Sequence, residues 1–136
     1  MSLKIGEVAS RSGVNLQTIR YYEREQLLPA PPRLASGYRM FPADAVHRVL
    51  FIKRAQELGF SLAEIRELLS IQIDPRKECS DVKRLAREKI LDLDARIRTL
   101  EAMREILAGL TRSCPGNGPS SHCPILGSIE AVKVPV

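Results

Sequence analysis

The feature that most constrains this chain is one uninterrupted helical stretch near its middle. From Ser80 or Asp81 to about Leu110 there is no Pro, and no Gly before Gly109, while Leu, Ile, Ala, Arg, Glu and Lys dominate. Ala86, Ile90, Leu93, Ile97 and Leu100 recur at alternating steps of four and three, the spacing of a heptad seam. The seam then shifts to Met103, Ile106 or Leu107, and Leu110. About thirty residues at 1.5 Å each make a rod of roughly 45 Å. No other segment of a 136-residue chain is long enough to cover that stripe, and left in water it would make the chain insoluble. The stripe therefore predicts a homodimer packed along this helix.

Ahead of the rod, short elements alternate with breakers. Lys4 to Ser12 reads as a helix with Ile5, Val8 and Ala9 on one face, and Ser12-Gly13-Val14-Asn15 ends it. Gly13 permits the turn and Asn15 suits the cap of a second helix, Leu16 to Gln26, with Leu16, Ile19 and one of Tyr21 and Tyr22 inward. Two short helices joined by a Gly-containing turn form a helix-turn-helix candidate. Three prolines within residues 29–41 exclude a helix there; Ser36-Gly37 reads as a turn and Tyr38 to Phe41 as a strand, together a small hairpin or wing. Pro42 suits the first turn of a helix over Ala43 to Leu58, with Val46, Val49, Leu50 and Ile52 in the core. Gly59 closes it, and Ser61 with Glu64 forms a capping box before Ile65, Leu68 and Leu69. The expected organisation is a head over 1–72, a dimerisation helix over 79–110, and a loop, short helix and tail over 111–136.

Charge separates these regions. Residues 1–54 hold nine Lys and Arg against four Asp and Glu, whereas residues 55–136 hold twelve of each, so the whole net charge of +5 sits in the head. A basic head on a neutral body points to nucleic acid. On the second helix Arg20 and Arg24 lie one turn apart, with Gln17, Thr18 and Tyr21 beside them. Arg and Gln read base edges, while Thr and Tyr commonly touch phosphates. Arg33, Tyr38 and Arg39 on the wing suit backbone or minor groove, and Lys53 with Arg54 ends the basic block. The plainer reading of each arginine is a solvated charged face.

Apolar residues at 44% and charged residues at 27% exclude wholesale disorder. No apolar run approaches the ~20 residues of a membrane helix. The start, MSLKIGEVAS, carries no apolar signal core, so the expected location is the cytosol, where cysteines stay reduced. Those cysteines are Cys79, Cys114 and Cys123. Cys79 opens the long helix and Cys114 follows its end, which puts them roughly 45 Å apart along the axis of one chain. Antiparallel pairing of two such helices brings Cys79 of one chain beside Cys114 and Cys123 of the other, giving two sites of three thiols each. Three sulfurs suit a soft ion, with His122 a potential fourth ligand. The helix dipole favours a Cys79 thiolate while Glu78 and Asp81 oppose it. The plainer alternative, thiols buried as small apolar side chains, fits Cys79 better than Cys114 and Cys123, whose Pro/Gly/Ser loop offers little to bury them. An enzyme is not expected: there is no Cys-x-x-Cys motif or cofactor loop, and His47 and His122 are the only imidazoles.

With these residues placed, the chain resembles the MerR family of metal-responsive transcription regulators. KIGEVASRSGV, TIRYYEREQLLP, GYRMF and KRAQELGFSLAEI follow the family's DNA-binding pattern, and CPGNGPSSHCPI with Cys79 upstream is similar to its mercury-responsive branch. The resemblance implies a mainly α fold: a winged helix-turn-helix, a long antiparallel coiled-coil helix and a C-terminal metal-binding loop. It also implies a cytoplasmic, nucleoid-associated bacterial homodimer on double-stranded promoter DNA, working with RNA polymerase holoenzyme and not with a membrane. Such a regulator represses without metal and activates by underwinding and bending its operator when Cys79, Cys114 and Cys123 bind Hg(II). Pb(II) and Cd(II) sensors share a three-cysteine layout, copper(I)-type members lack a Cys at the position of Cys79, and a thiol redox sensor is the remaining alternative.

Overall fold

The computed structural model describes residues 2–31, 34–37 and 40–135. In chain order these form strand β1 (Ser2–Lys4), helices α1 (Ile5–Ser12) and α2 (Leu16–Arg24), strand β2 (Met40–Pro42), and helices α3 (Ala45–Glu57), α4 (Leu62–Gln72), α5 (Cys79–Ser113) and α6 (Pro124–Ser128). Single 3₁₀ turns at Ser120–His122 and Ile129–Ala131 flank α6. The molecule is mainly helical, as expected, and divides into two compact units, 1–85 and 86–136.

In the first unit, α1 starts where the Glu7 carboxylate accepts the Lys4 N–H at 3.0 Å. It ends at Gly13, whose φ of +69° is open to glycine without steric cost. The Gly13 and Val14 N–H groups donate back to the Ser10 and Ala9 carbonyls at 3.3 and 3.0 Å. Asn15 caps α2 as predicted, its Oδ1 accepting the Thr18 N–H at 2.8 Å. Ile19 and Tyr22 turn into the core while Tyr21 stays outside. Leu16 departs from its predicted inward position and is exposed. It occupies the first position of α2, and the turn residue Val14 is the one that packs on the core there.

The predicted strand before residue 42 exists, as β2. β2 pairs antiparallel with β1, Leu3 opposite Phe41, and both side chains are fully buried. Within the expected wing, the Gly37 N–H donates to the Leu34 carbonyl at 2.9 Å. Arg33, Tyr38 and Arg39, three of the predicted DNA contacts, lie outside the described residues. Pro42 ends β2 instead of opening a helix, since a residue without an N–H is tolerated at a strand's edge; α3 begins after Asp44. Val49 and Ile52 of α3 and Ile65 and Leu69 of α4 complete the core around Val8, Ile19 and Leu27. The capping box of α4 is complete: the Glu64 N–H donates to Ser61 Oγ at 3.2 Å and the Ser61 N–H to Glu64 Oε1 at 2.7 Å.

Between α4 and α5 the Asp74 carboxylate accepts the Arg76 backbone N–H at 2.9 Å and its guanidinium at 3.1 Å. These bonds hold its carboxyl below the ordinary carboxylate value. The Glu78 N–H donates to Asp81 Oδ2 at 2.8 Å as the long helix begins. α5 runs 35 residues, slightly beyond the predicted limits at both ends. In the second unit its seam is open. Ile90, Ile97, Leu100 and Leu107 are all more than half exposed, while Leu93, Ile106 and Leu110 are partly buried. Asp92 accepts from Lys89 and Arg96, each at 3.1 Å, pairs at the helical spacings i,i+3 and i,i+4. Among the described residues no helix is long and apolar enough to cross a membrane.

Candidate nucleic-acid interface and metal-ligating thiols

Ile19 and Tyr22 anchor one side of α2, so the other side must face out. Gln17, Arg20, Tyr21 and Arg24 stand on it at i, i+3, i+4 and i+7, all exposed. Thr18 flanks this row, its hydroxyl donating to Asn15 Oδ1 at 2.9 Å. The Arg24 guanidinium lies 5.9 Å from the Tyr21 ring centroid, a cation–π contact that steadies both side chains. Tyr22, behind them, donates its hydroxyl to Gln56 Oε1 at 2.7 Å. Burial first, then the charge of Glu57 and the neighbouring Tyr21, push its pKa up, so it stays a neutral donor. The five predicted contacts on α2 thus form one surface.

Lys53 lies elsewhere. Its Nζ donates to the Gly13 carbonyl at 3.3 Å, tying α3 to the turn of the helix-turn-helix. Three further groups hold α2 from behind and went unnoticed in the sequence: Gln56, Arg48, whose Nε donates to the Leu27 carbonyl at 2.8 Å, and Arg66, which donates to the Glu25 carbonyl. Their partners are 34, 21 and 41 residues away, so no local spacing could reveal them.

The thiols divide two to one. Cys79 is exposed at the first position of α5; Cys114 and Cys123 are half-buried, and all three are free. Cys114 follows the last turn of α5, its N–H donating to the Thr111 carbonyl at 3.3 Å. Residues 115–119 then loop through Gly116 and Gly118, at φ +80° and +92°, and a 3₁₀ turn returns the chain to Cys123. The Cys123 thiol is held below its ordinary value, first by the backbone N–H of Leu126, then by that of Ile125 and by a hydrogen bond with the Cys114 side chain, against the opposing effect of burial. Cys114, His122 and Cys123 line an open basin of about 370 Å³. Two thiols and an imidazole lining one basin suit a soft cation. Among the described residues of a single chain, however, no three His, Cys, Asp or Glu side chains come together to hold one.

Two family models match overlapping parts of the chain. Residues 3–71 match the family described as MerR HTH family regulatory protein, and residues 46–110 match MerR, DNA binding. The chain is 42% identical over 129 residues to the mercuric resistance operon regulatory protein of Bacillus cereus, covering 95% of this chain and 98% of that one. It is 40% identical to the HTH-type transcriptional regulator ZntR of Escherichia coli K12, covering 93% and 92% of the two chains. The crystal structure of the transcription regulator PbrR691 from Ralstonia metallidurans CH34 in complex with lead(II) superposes with a TM-score of 0.82 at 34% identity, over 93% of this chain and 98% of that one.

Proposed function

Since this chain belongs to the MerR family, whose members are DNA-binding transcription regulators and not enzymes, we propose that it is a homodimeric, metal-responsive switch at a promoter, with Hg(II) as its effector. The observation that carries the reading is the mismatch on α5 and the loop after it. An apolar seam lies open along α5, and beyond its end two thiols line one basin, where among the described residues no three His, Cys, Asp or Glu side chains gather. Antiparallel pairing of two α5 helices answers both, because it covers the seam and brings Cys79 of the partner subunit to Cys114 and Cys123.

In this reading Gln17, Arg20 and Arg24 meet base edges, while Thr18 and Tyr21 meet phosphates. Arg33, Tyr38 and Arg39 extend the contact along the wing. Lys53 serves it by fixing the turn. Cys114 and Cys123, together with Cys79 of the partner subunit, would hold a soft divalent ion, and their thiolate bonds to it would join the end of one long helix to the start of the other. That changes how the two heads are held and hence the twist of the DNA between them, from the repressing shape to one RNA polymerase holoenzyme can use. Such a switch needs affinities for the ion that differ between the two shapes by about 1–3 kcal/mol or more. Acting on bacterial promoter DNA places the protein in the cytoplasm, with the nucleoid.

Mercury is favoured over lead or cadmium by the 42% identity to the mercuric resistance regulator, against 34% to the lead-bound structure. The test is a promoter-reporter titration with mercury, lead, cadmium, zinc and copper salts. Mercury should induce at the lowest concentration; induction by lead or cadmium where mercury fails overturns the choice of ion. Cys79→Ser, Cys114→Ser and Cys123→Ser should each abolish induction and leave operator binding intact. The shared basin of Cys114 and Cys123 favours one second reading, a redox switch. Induction by oxidant without metal would select it.

A further inference from the structure

The end of α2 is built against its own backbone preference. Gln26 follows the helix at φ +61°, and among the described residues it is the one non-glycine with positive φ. There an L side chain's Cβ crowds the carbonyl oxygen of the peptide, which is why glycine usually takes this position. The chain reverses sharply around it: the Gln26 N–H donates to the Glu23 carbonyl at 3.0 Å and the Leu27 N–H to the Tyr22 carbonyl at 2.9 Å. An unfavourable conformation of this kind persists only where surrounding contacts hold it. Two such contacts flank Gln26. Arg66 of α4 donates to the carbonyl of Glu25 and lies 3.7 Å from its carboxylate, and Arg48 of α3 donates from Nε to the carbonyl of Leu27 at 2.8 Å.

We infer that Arg48 and Arg66 are positioning residues for DNA recognition, which clamp the carbonyls on either side of Gln26 and so set the pitch at which Gln17, Arg20, Tyr21 and Arg24 meet the duplex. The inference rests on the proposed reading of α2 as the DNA-reading helix. Neither arginine needs to touch DNA. Both already donate to backbone at the end of α2 away from Gln17. Release of the clamp lets Gln26 relax toward negative φ, and α2 then swings about its buried anchors Ile19 and Tyr22.

The test uses the full-length dimer and two duplexes of equal length, one selected by the wild-type protein from a random-sequence pool and one of unrelated sequence. Arg66→Gln is the main variant, since its side chain is 46% exposed and its loss leaves the core intact; Arg48→Lys, which keeps the charge, is the second. Each should weaken binding to the selected duplex by about tenfold, the scale of one misread base pair. Affinity for the unrelated duplex, and the slope of affinity against salt, should stay as in wild type, because phosphate contacts are unchanged. Adding Gln26→Gly to Arg66→Gln should restore binding to within about threefold, since glycine holds the reversal without the clamp. Unchanged affinity for the selected duplex overturns the inference, as does an equal loss on both duplexes, which marks simple destabilisation. A salt slope shallower by about one, the mark of a lost phosphate contact, also overturns it, as does failure of Gln26→Gly to rescue. A wild-type protein that selects no duplex overturns the reading of α2 instead.

Discussion

Ile52 on α3 and Ile97 on α5 are the same side chain in the same kind of element, yet the first is fully buried and the second is 51% exposed. Around Ile52 the first unit supplies every neighbour it needs: Val8, Ile19, Leu27, Phe41, Val49 and Ile65 are buried with it. Around Ile97 a single chain leaves Ile90 and Leu100 in water. Burying a side chain of this size contributes about 1.5–3 kcal/mol. The first unit gains that within itself, and the second, in the proposed dimer, would gain it by association. One region is therefore a self-contained fold. The other leaves an apolar seam open in a single chain, which is the face the proposed dimer would cover.

The largest effect should come from charging the seam. Ile97→Glu with Leu100→Glu places two unpaired carboxylates where two helices meet, and should weaken the dimer by at least about a thousandfold. Sedimentation equilibrium would measure this. Amide exchange in residues 3–71 should remain as slow as in wild type; loss of that protection would break the contrast between the units. Next, Ile52→Ala removes a fully buried side chain and should destabilise the first unit by about 2–5 kcal/mol in denaturant unfolding. Helix content from α5 should survive in the dimer. A smaller change tests local design: Ser61→Ala removes the α4 cap, and should cost about 1 kcal/mol in the same measurement.

The smallest lies in the turn between α4 and α5, within the first unit. Asp74→Asn loses the bonds to Arg76 that lower the carboxyl's pKa. A lowered folded-state value contributes stability that is present above the unfolded value of about 3.8 and lost as pH falls through the folded value. The melting-temperature difference between Asp74→Asn and wild type should thus be slight at neutral pH and vanish in strong acid. A difference that persists there would assign Asp74 another role.

How much of this was legible depends on how far apart the interacting residues lie. Asn15 and Thr18, Ser61 and Glu64, and the glycine turn at residue 13 involve neighbours within four residues, and each was readable from local spacing. The outward row on α2 followed from helical periodicity alone. Pairing of Leu3 with Phe41 joins residues far apart in the chain and carries no turn signal, so β1 and its pairing with β2 are not legible from local spacing. Leu16 was misplaced because periodicity names a face without saying where along the helix the core ends. For the thiols, the sequence showed that Cys79 and Cys114 occupy opposite ends of one helix, but that Cys114 and Cys123 line one basin depends on the path of the glycine loop.

By itself the sequence determined the elements, the basic head, the apolar seam and the spacing of three cysteines, because helix periodicity, capping and charge are short-range properties of the chain. Only the tertiary structure decided which strand completes the head, that Lys53 braces a turn, and that arginines from α3 and α4 hold a strained glutamine at the end of α2. Those contacts bring together residues tens of positions apart, and their geometry follows from how the whole core packs.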